Sequence, residues 1–125
     1  MLGIVRRLIF FLAVLLVPPA TAADGFVAGV DDLPLMPGLQ GLPGDGTVFD
    51  APGGRVVEAW AEGSTSRDAV LAFYGSTLPQ LGWTPLEPGL YRREGEALRL
   101  EFPGNGPGGR RNPGRLYVRF YLSPG

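Results

Sequence analysis

The strongest constraint on the fold comes from two segments near the C-terminus, 97–102 and 115–122, in which every second residue is apolar. A period of two residues puts these side chains on one face of a β-strand. The sequence therefore predicts an antiparallel sheet with one covered face and one face open to solvent. The apolar positions are Leu98, Leu100, Phe102, Leu116, Val118, Phe120 and Leu122.

One helix is predicted to cover that sheet, starting after Ser64-Thr65-Ser66 and ending at Gly82. Asp68 follows Thr65 by three residues, a spacing that predicts an N-terminal cap in which hydroxyl and carboxylate each accept a backbone N–H. Pro79 predicts a kink or a tightened turn, because proline has no N–H and restricts the residue before it. The apolar side of the helix carries Val70, Phe73, Tyr74, Leu78 and Leu81.

Turn residues divide the rest of the chain into short strands. Ala51-Pro52-Gly53-Gly54 predicts a hairpin turn, and Glu87-Pro88-Gly89 and Glu94-Gly95-Glu96 predict the turns of a meander. The predicted fold class is α+β, with one helix packed on a small antiparallel sheet in the order β-β-α-β-β-β-β. The predicted strands are 47–50, 55–62, 83–86, 90–93, 97–102 and 115–122.

Residues 1–22 have the features of a cleavable secretory signal peptide. Arg6 and Arg7 precede the apolar run Leu8–Val17, and Ala20-Thr21-Ala22 supplies the small residues that a signal peptidase requires. Ten apolar residues span about 15 Å as a helix, against about 30 Å for the hydrocarbon core of a bilayer. We therefore expect cleavage after Ala22, with Ala23 as the alternative, and a periplasmic or secreted product without a membrane span.

Residues 23–46 form an irregular stretch that is rich in Pro and Gly yet apolar, and it precedes the single α+β domain predicted for residues 47–125. Turn residues interrupt it too often for a regular element, while its apolar content is too high for a solvated linker. Two interpretations remain open. Leu33, Leu35 and Met36 either pack on their own domain or dock, in extended form, into a groove of another protein.

Composition excludes several function classes. The chain contains no Cys, His or Lys, so disulfides, a usual structural zinc site, Ser-His-Asp or Cys-His catalysis and lysine Schiff bases are impossible. After removal of the signal, nine Arg face twelve acidic residues, for a formal charge near -3. Nucleic-acid binding is not expected at this charge. No cofactor and no metal ion is predicted.

Two further clusters could carry binding or chemistry. Arg110 and Arg111, in the Gly-rich connection 103–114, could hold an anionic group or simply keep a loop soluble. Glu94 and Glu96 flank a turn. Solvent stabilises the charged form of both carboxylates there, which makes a role in acid-base catalysis unfavourable.

Several of the aromatic residues outside the helix are expected on the solvent face of the sheet, together with Arg92 or Arg119. Tyr117, Arg119 and Tyr121 alternate with the apolar positions of the last strand, so they share the polar face. Exposed aromatics and arginines are typical of binding surfaces, although the apolar stretch before residue 47 could also cover them. The aromatic residues concerned are Trp60, Trp83, Tyr91, Tyr117 and Tyr121.

The run from Phe73-Tyr74 through Leu78-Pro79-Gln80-Leu81-Gly82-Trp83, followed by Tyr91 to Leu98, resembles small exported bacterial proteins of uncharacterised families. The resemblance covers residues 64–122 and implies export and a helix leading into a meander. It implies no catalytic residues.

The sequence thus favours a non-catalytic binding or accessory domain of the bacterial cell envelope, with an envelope protein as the possible partner. Two alternatives stay open: a small carboxylate-based enzyme, and a subunit that completes its fold on a protein partner. The oligomeric state is not indicated.

Overall fold

A computed structural model describes residues 25–42 and 46–125 of the chain. The predicted signal peptide, residues 1–22, lies outside the described residues. Among those residues, no helix is long and apolar enough to cross a membrane.

In the described part of the chain, seven strands and one α-helix form an α+β fold, in which an antiparallel sheet carries the helix on one face. The coarse fold class is therefore confirmed. The predicted order is wrong in one respect, because a short strand precedes the predicted hairpin and the observed order is β-β-β-α-β-β-β-β. The strands are β1 Leu39–Gly41, β2 Thr47–Ala51, β3 Gly54–Gly63, β4 Thr84–Glu87, β5 Leu90–Arg93, β6 Glu96–Glu101 and β7 Leu116–Pro124, and the helix is α1 Arg67–Thr77.

The strand order in the sheet is β1-β3-β7-β6-β5-β4, with β2 also paired to β3. Residues 57–63 of β3 pair with β7. The other edge of β3 is shared by two strands, since β1 pairs with 61–63 and β2 pairs with 54–58. Ala59 and Trp60 therefore lie in the gap between the segment of β3 that pairs with β2 and the segment that pairs with β1.

The core lies between α1 and the inner face of the sheet, where Val57, Ala59 and Ala61 of β3 are buried. These small side chains leave room for a closely packed cover. Tyr74 of α1 meets Phe120 of β7 edge to face, with ring centroids 5.6 Å apart. The remaining buried residues of the inner face are Tyr91, Leu98, Leu100, Val118 and Leu122.

The helix begins and ends close to the predicted positions. Its N-cap is Ser66, whose hydroxyl accepts a hydrogen bond from the Ala69 N–H at 3.1 Å. The predicted cap by Thr65 and Asp68 is therefore wrong by one residue. The helix tightens to a 3-10 turn at Leu78–Leu81, which contains Pro79, and Gly82 ends it in the left-handed conformation with φ 92°.

Residues 25–37 complete the layer that covers the sheet. Phe26 and Pro34 form an antiparallel bridge, and the Val27 N–H donates to the Leu33 carbonyl at 2.8 Å. Val27, Val30 and Leu33 are buried in the core. This segment therefore packs on the same face as α1 and does not cover the outer face of the sheet. The predicted division of the chain after residue 46 stays a prediction.

Candidate binding surfaces

The outer face of the sheet carries a patch that we call the aromatic-arginine face, defined by Trp60, Arg92, Arg99, Arg119 and Tyr121. Pairing of β3 with β7 sets Trp60 opposite Arg119, and pairing of β6 with β7 sets Arg99 opposite Tyr121. Trp60 and Tyr121 are half-buried, while Arg92 and Arg99 are exposed. The helix and residues 25–37 lie on the opposite face, so neither of them covers this patch.

Arg119, a predicted site residue, is neutralised within the protein. Its guanidinium forms ion pairs with Glu58 on β3 and Glu101 on β6, and it lies 4.8 Å from the ring centroid of Tyr121. An anionic ligand would have to displace these carboxylates. Arg119 therefore holds three strands and the Tyr121 ring in place, and its charge is not free for a ligand.

Arg92 and Arg99 differ from Arg119, because no ion-pair partner faces either of them within residues 25–42 and 46–125. They lie on the adjacent strands β5 and β6, where Arg92 pairs with Ala97 and Arg99 pairs with Leu90. Arg92 was expected on this face, whereas Arg99 was not singled out from the sequence. The alternation of apolar and polar residues along β6 assigns Arg99 to the polar face, and this pattern could have identified it.

Tyr117, another predicted site residue, is buried instead of exposed. The connection between β6 and β7 folds over it, and a Cβ atom added at Gly106 would lie 2.5 Å from the Tyr117 ring. Burial raises the pKa of the Tyr117 hydroxyl, and the negative charge of Glu62, opposite on β3, raises it further. Tyr117 thus anchors the connection and is unavailable to a partner at this surface.

Arg110 and Arg111 lie in that connection and are exposed. The Gly106 N–H donates to the Arg110 carbonyl at 2.7 Å, and Arg111 Nε donates to Asn105 Oδ1 at 3.0 Å. These bonds give the connection a defined shape. The two arginines are thus held near the Tyr117 end of the sheet, apart from Arg92 on β5.

The predicted docking residues Leu33, Leu35 and Met36 lie on the helix side, away from the aromatic-arginine face. Leu33 is fully buried, and Leu35 and Met36 pack against the core. The Tyr74 hydroxyl donates to the Pro34 carbonyl at 2.8 Å and accepts from the Met36 N–H at 3.0 Å. The structure therefore favours intramolecular packing of this stretch over docking to another protein.

An apolar cleft of about 330 Å³ lies where β1 and β2 leave the edge of β3. Phe26 and Val48 line it and are 53% and 60% exposed. Sequence patterns did not indicate this cleft, because it depends on two strands that share one edge. Its other lining residues include Leu35, Ala59, Trp60 and Phe120.

Two carboxylates, Glu96 of the Glu94/Glu96 turn and Asp32 of the N-terminal segment, form ion pairs within the protein. Glu96 forms an ion pair with Arg55 at 3.0 Å, and Asp32 forms one with Arg93 at 2.7 Å. Arg93 also donates to the Leu81 carbonyl and stacks 4.3 Å from the Trp83 ring, so it ties residues 25–37 to the helix end. Within the described ranges, no three acidic residues are placed to hold a metal ion.

Comparison with protein-family models, with curated proteins and with solved structures finds no match. Function is therefore inferred from the surfaces themselves.

Proposed function

We propose that this protein is a non-catalytic binding domain of the bacterial cell envelope, exported to the periplasm or beyond. Its aromatic-arginine face contacts a protein partner that presents acidic groups.

The observation that carries this proposal is the pair of exposed arginines, Arg92 and Arg99, beside the half-buried rings of Trp60 and Tyr121. Aromatic residues and arginine are enriched in the energetically important parts of protein interfaces. A guanidinium binds a carboxylate through two parallel hydrogen bonds, which favours a partner that presents Asp or Glu. Arg119, whose charge is neutralised by Glu58 and Glu101, stacks on the Tyr121 ring and fixes its orientation for contact with such a partner.

A capture experiment with matched variants tests the surface. The mature chain, which begins at Ala23, is immobilised and incubated with envelope extract. It should retain a partner that the Arg99→Glu and Tyr121→Ala variants both fail to retain. Arg67→Glu is the matched control, because it makes the same charge change at the first turn of α1, where an acidic residue is favourable. Equal capture by Arg99→Glu and the unaltered chain would contradict the proposed surface.

Three features of the first 22 residues support export: the basic pair Arg6 and Arg7, the apolar run Leu8–Val17 and the small residues before the cleavage site. Expression of the full chain in a Gram-negative host should give a periplasmic product that starts at Ala23, as determined by N-terminal sequencing. Replacement of both Ala20 and Ala22 with Gln should leave the precursor uncleaved, since the peptidase requires small residues there. An uncleaved chain in the cytoplasm of cells expressing the unaltered protein would reject this part of the proposal.

A further inference from the structure

The two edges of the sheet differ in how they are protected. Edge strands of proteins that stay monomeric usually carry a proline, a bulge or charges that prevent further strand pairing. β4 follows this rule, because it contains Pro85 and its register with β5 shifts between Pro85 and Glu87. β2 has none of these devices, apart from the single charge of Asp50. Within residues 25–42 and 46–125, no strand pairs with its outer edge, which can accept another strand.

β2 also exposes an apolar side chain on each of its faces. Val48 pairs with Val57 and points to the inner side, while Phe49 pairs with Val56 and points to the outer side. Val48 is 60% exposed and Phe49 is 52% exposed. In an antiparallel pair, every second residue turns its backbone N–H and C=O away from its partner strand. The outer edge of β2 therefore presents backbone N–H and C=O groups, flanked by the exposed side chains of Val48 and Phe49.

We propose that a second copy of this chain occupies that edge, with the two β2 strands paired antiparallel about a twofold axis at Phe49. This register sets Phe49 opposite Phe49 of the second copy, Val48 opposite Asp50 and Thr47 opposite Ala51. Aromatic pairs directly opposite each other are favourable in antiparallel sheets. Like charges never oppose each other in this register, and the same strand supplies both halves of the interface, as a twofold contact requires.

The dimer has a defined geometry and a limited strength. Edge pairing joins two sheets into one and places both aromatic-arginine faces on the same side, because Phe49 projects to the outer face. Five residues per strand bury a small interface, which is typical of weak, concentration-dependent association. This inference does not depend on the proposed partner of the aromatic-arginine face.

The absence of Cys from the sequence permits a direct test by crosslinking. In the mature chain, Phe49→Cys places two thiols on the twofold axis, where directly opposed residues have Cα atoms about 4.5 to 5.5 Å apart, within the range of a disulfide. Leu86→Cys is the matched control, because Leu86 is equally exposed, at 52%, on the protected edge strand β4. Under mild oxidation, Phe49→Cys should form covalent dimers at least about tenfold faster than Leu86→Cys.

Sedimentation of the cysteine-free mature chain provides a second measurement. The chain should pass from monomer to dimer with rising concentration, and Phe49→Lys should remain monomeric while Leu86→Lys should not. Circular dichroism verifies that each variant is folded. Equal crosslinking rates for the two cysteine variants would overturn the proposal. A purified chain that stays monomeric at every concentration would also overturn it, whatever the result of the capture experiment with Arg99→Glu and Tyr121→Ala.

Discussion

Tyr74 shows how much of this fold depends on a single hydroxyl group. It is fully buried, and it is hydrogen-bonded to both Pro34 and Met36 of the N-terminal segment. We expect Tyr74→Phe to lower the free energy of unfolding by about 1 to 3 kcal/mol, because a partly buried carbonyl and a partly buried N–H lose their partner. Urea denaturation measures this change. Tyr121→Phe is the control, because Tyr121 is half-buried on the outer face of the sheet. This substitution should change the free energy of unfolding by less than about 0.5 kcal/mol.

The same residue predicts a dependence on alkaline pH. Burial raises the pKa of Tyr74 well above its ordinary value, so the unfolded chain releases this proton at a lower pH than the folded protein. Stability then falls as pH rises above about 10, where an unfolded tyrosine ionises. The stability difference between the unaltered protein and Tyr74→Phe should therefore shrink above that pH. A difference that stays constant from pH 8 to pH 11 would contradict this account.

Asp32 predicts the opposite behaviour in acid. Hydrogen bonds from Arg93 lower the pKa of this carboxyl, so its stabilising effect is present above the ordinary aspartate pKa and is lost as pH falls below it. Its side chain is about half exposed, which limits the effect of Asp32→Asn at pH 7 to about 0.5 to 1 kcal/mol. Thermal melts should show a smaller difference between the two proteins at pH 3 than at pH 7. Asp31→Asn is the adjacent control.

At the scale of elements, the pairing of β1 with β3 depends on a glycine in β3. A Cβ atom added at Gly63 would lie 2.1 Å from the carbonyl oxygen of Gly38, a distance at which the backbone must move. We expect Gly63→Ala to cost about 1 to 3 kcal/mol and to speed amide exchange in Leu39–Gly41. Gly41→Ala is the control, because a Cβ atom there has no neighbour within 4 Å. Slow exchange in β1 of the Gly63 variant would contradict this prediction.

The elements that sequence patterns predicted are those whose signals are local. The hairpin of β2 and β3 follows from Pro52-Gly53, and α1 follows from its apolar spacing and from Gly82. β1 could not be predicted, since its three residues, Leu39–Gly41, have no periodicity and depend on the free edge of β3. Short strands are recognised from sequence only when their own pattern is long enough to show a period.

The side chains that were misplaced show the same limit. Trp83 precedes β4 and is buried, although the predicted strand began with it, and a shift of one residue moves a side chain to the other face. Tyr91 also faces the core, opposite Leu98. Leu90 and Tyr91 are adjacent and both apolar, so alternation within four residues could not decide which one points inward. Trp83 and Tyr91 therefore do not contribute to the aromatic-arginine face.

At the scale of the whole molecule, residues 25–37 act as part of the core instead of as an appendage. Val27, Val30 and Leu33 are each less than 5% exposed, and burying three such side chains contributes about 5 to 9 kcal/mol before ordering entropy is subtracted. Domains of this size are stable by only about 5 to 15 kcal/mol in total. Loss of the segment would also uncover the Tyr74 ring and release Arg93 from Asp32.

We therefore expect a chain that begins at Gly38 to lose cooperative thermal unfolding, whereas the mature chain that begins at Ala23 retains it. Calorimetry and binding of a hydrophobic dye distinguish a packed core from a loosened one. The triple variant Val27→Ala, Val30→Ala, Leu33→Ala keeps the backbone and Asp32, so it separates the effect of burial from that of chain length. If the shortened chain melted at the temperature of the mature chain, the buried N-terminal residues would not stabilise the sheet, and the segment would be free to contact another protein.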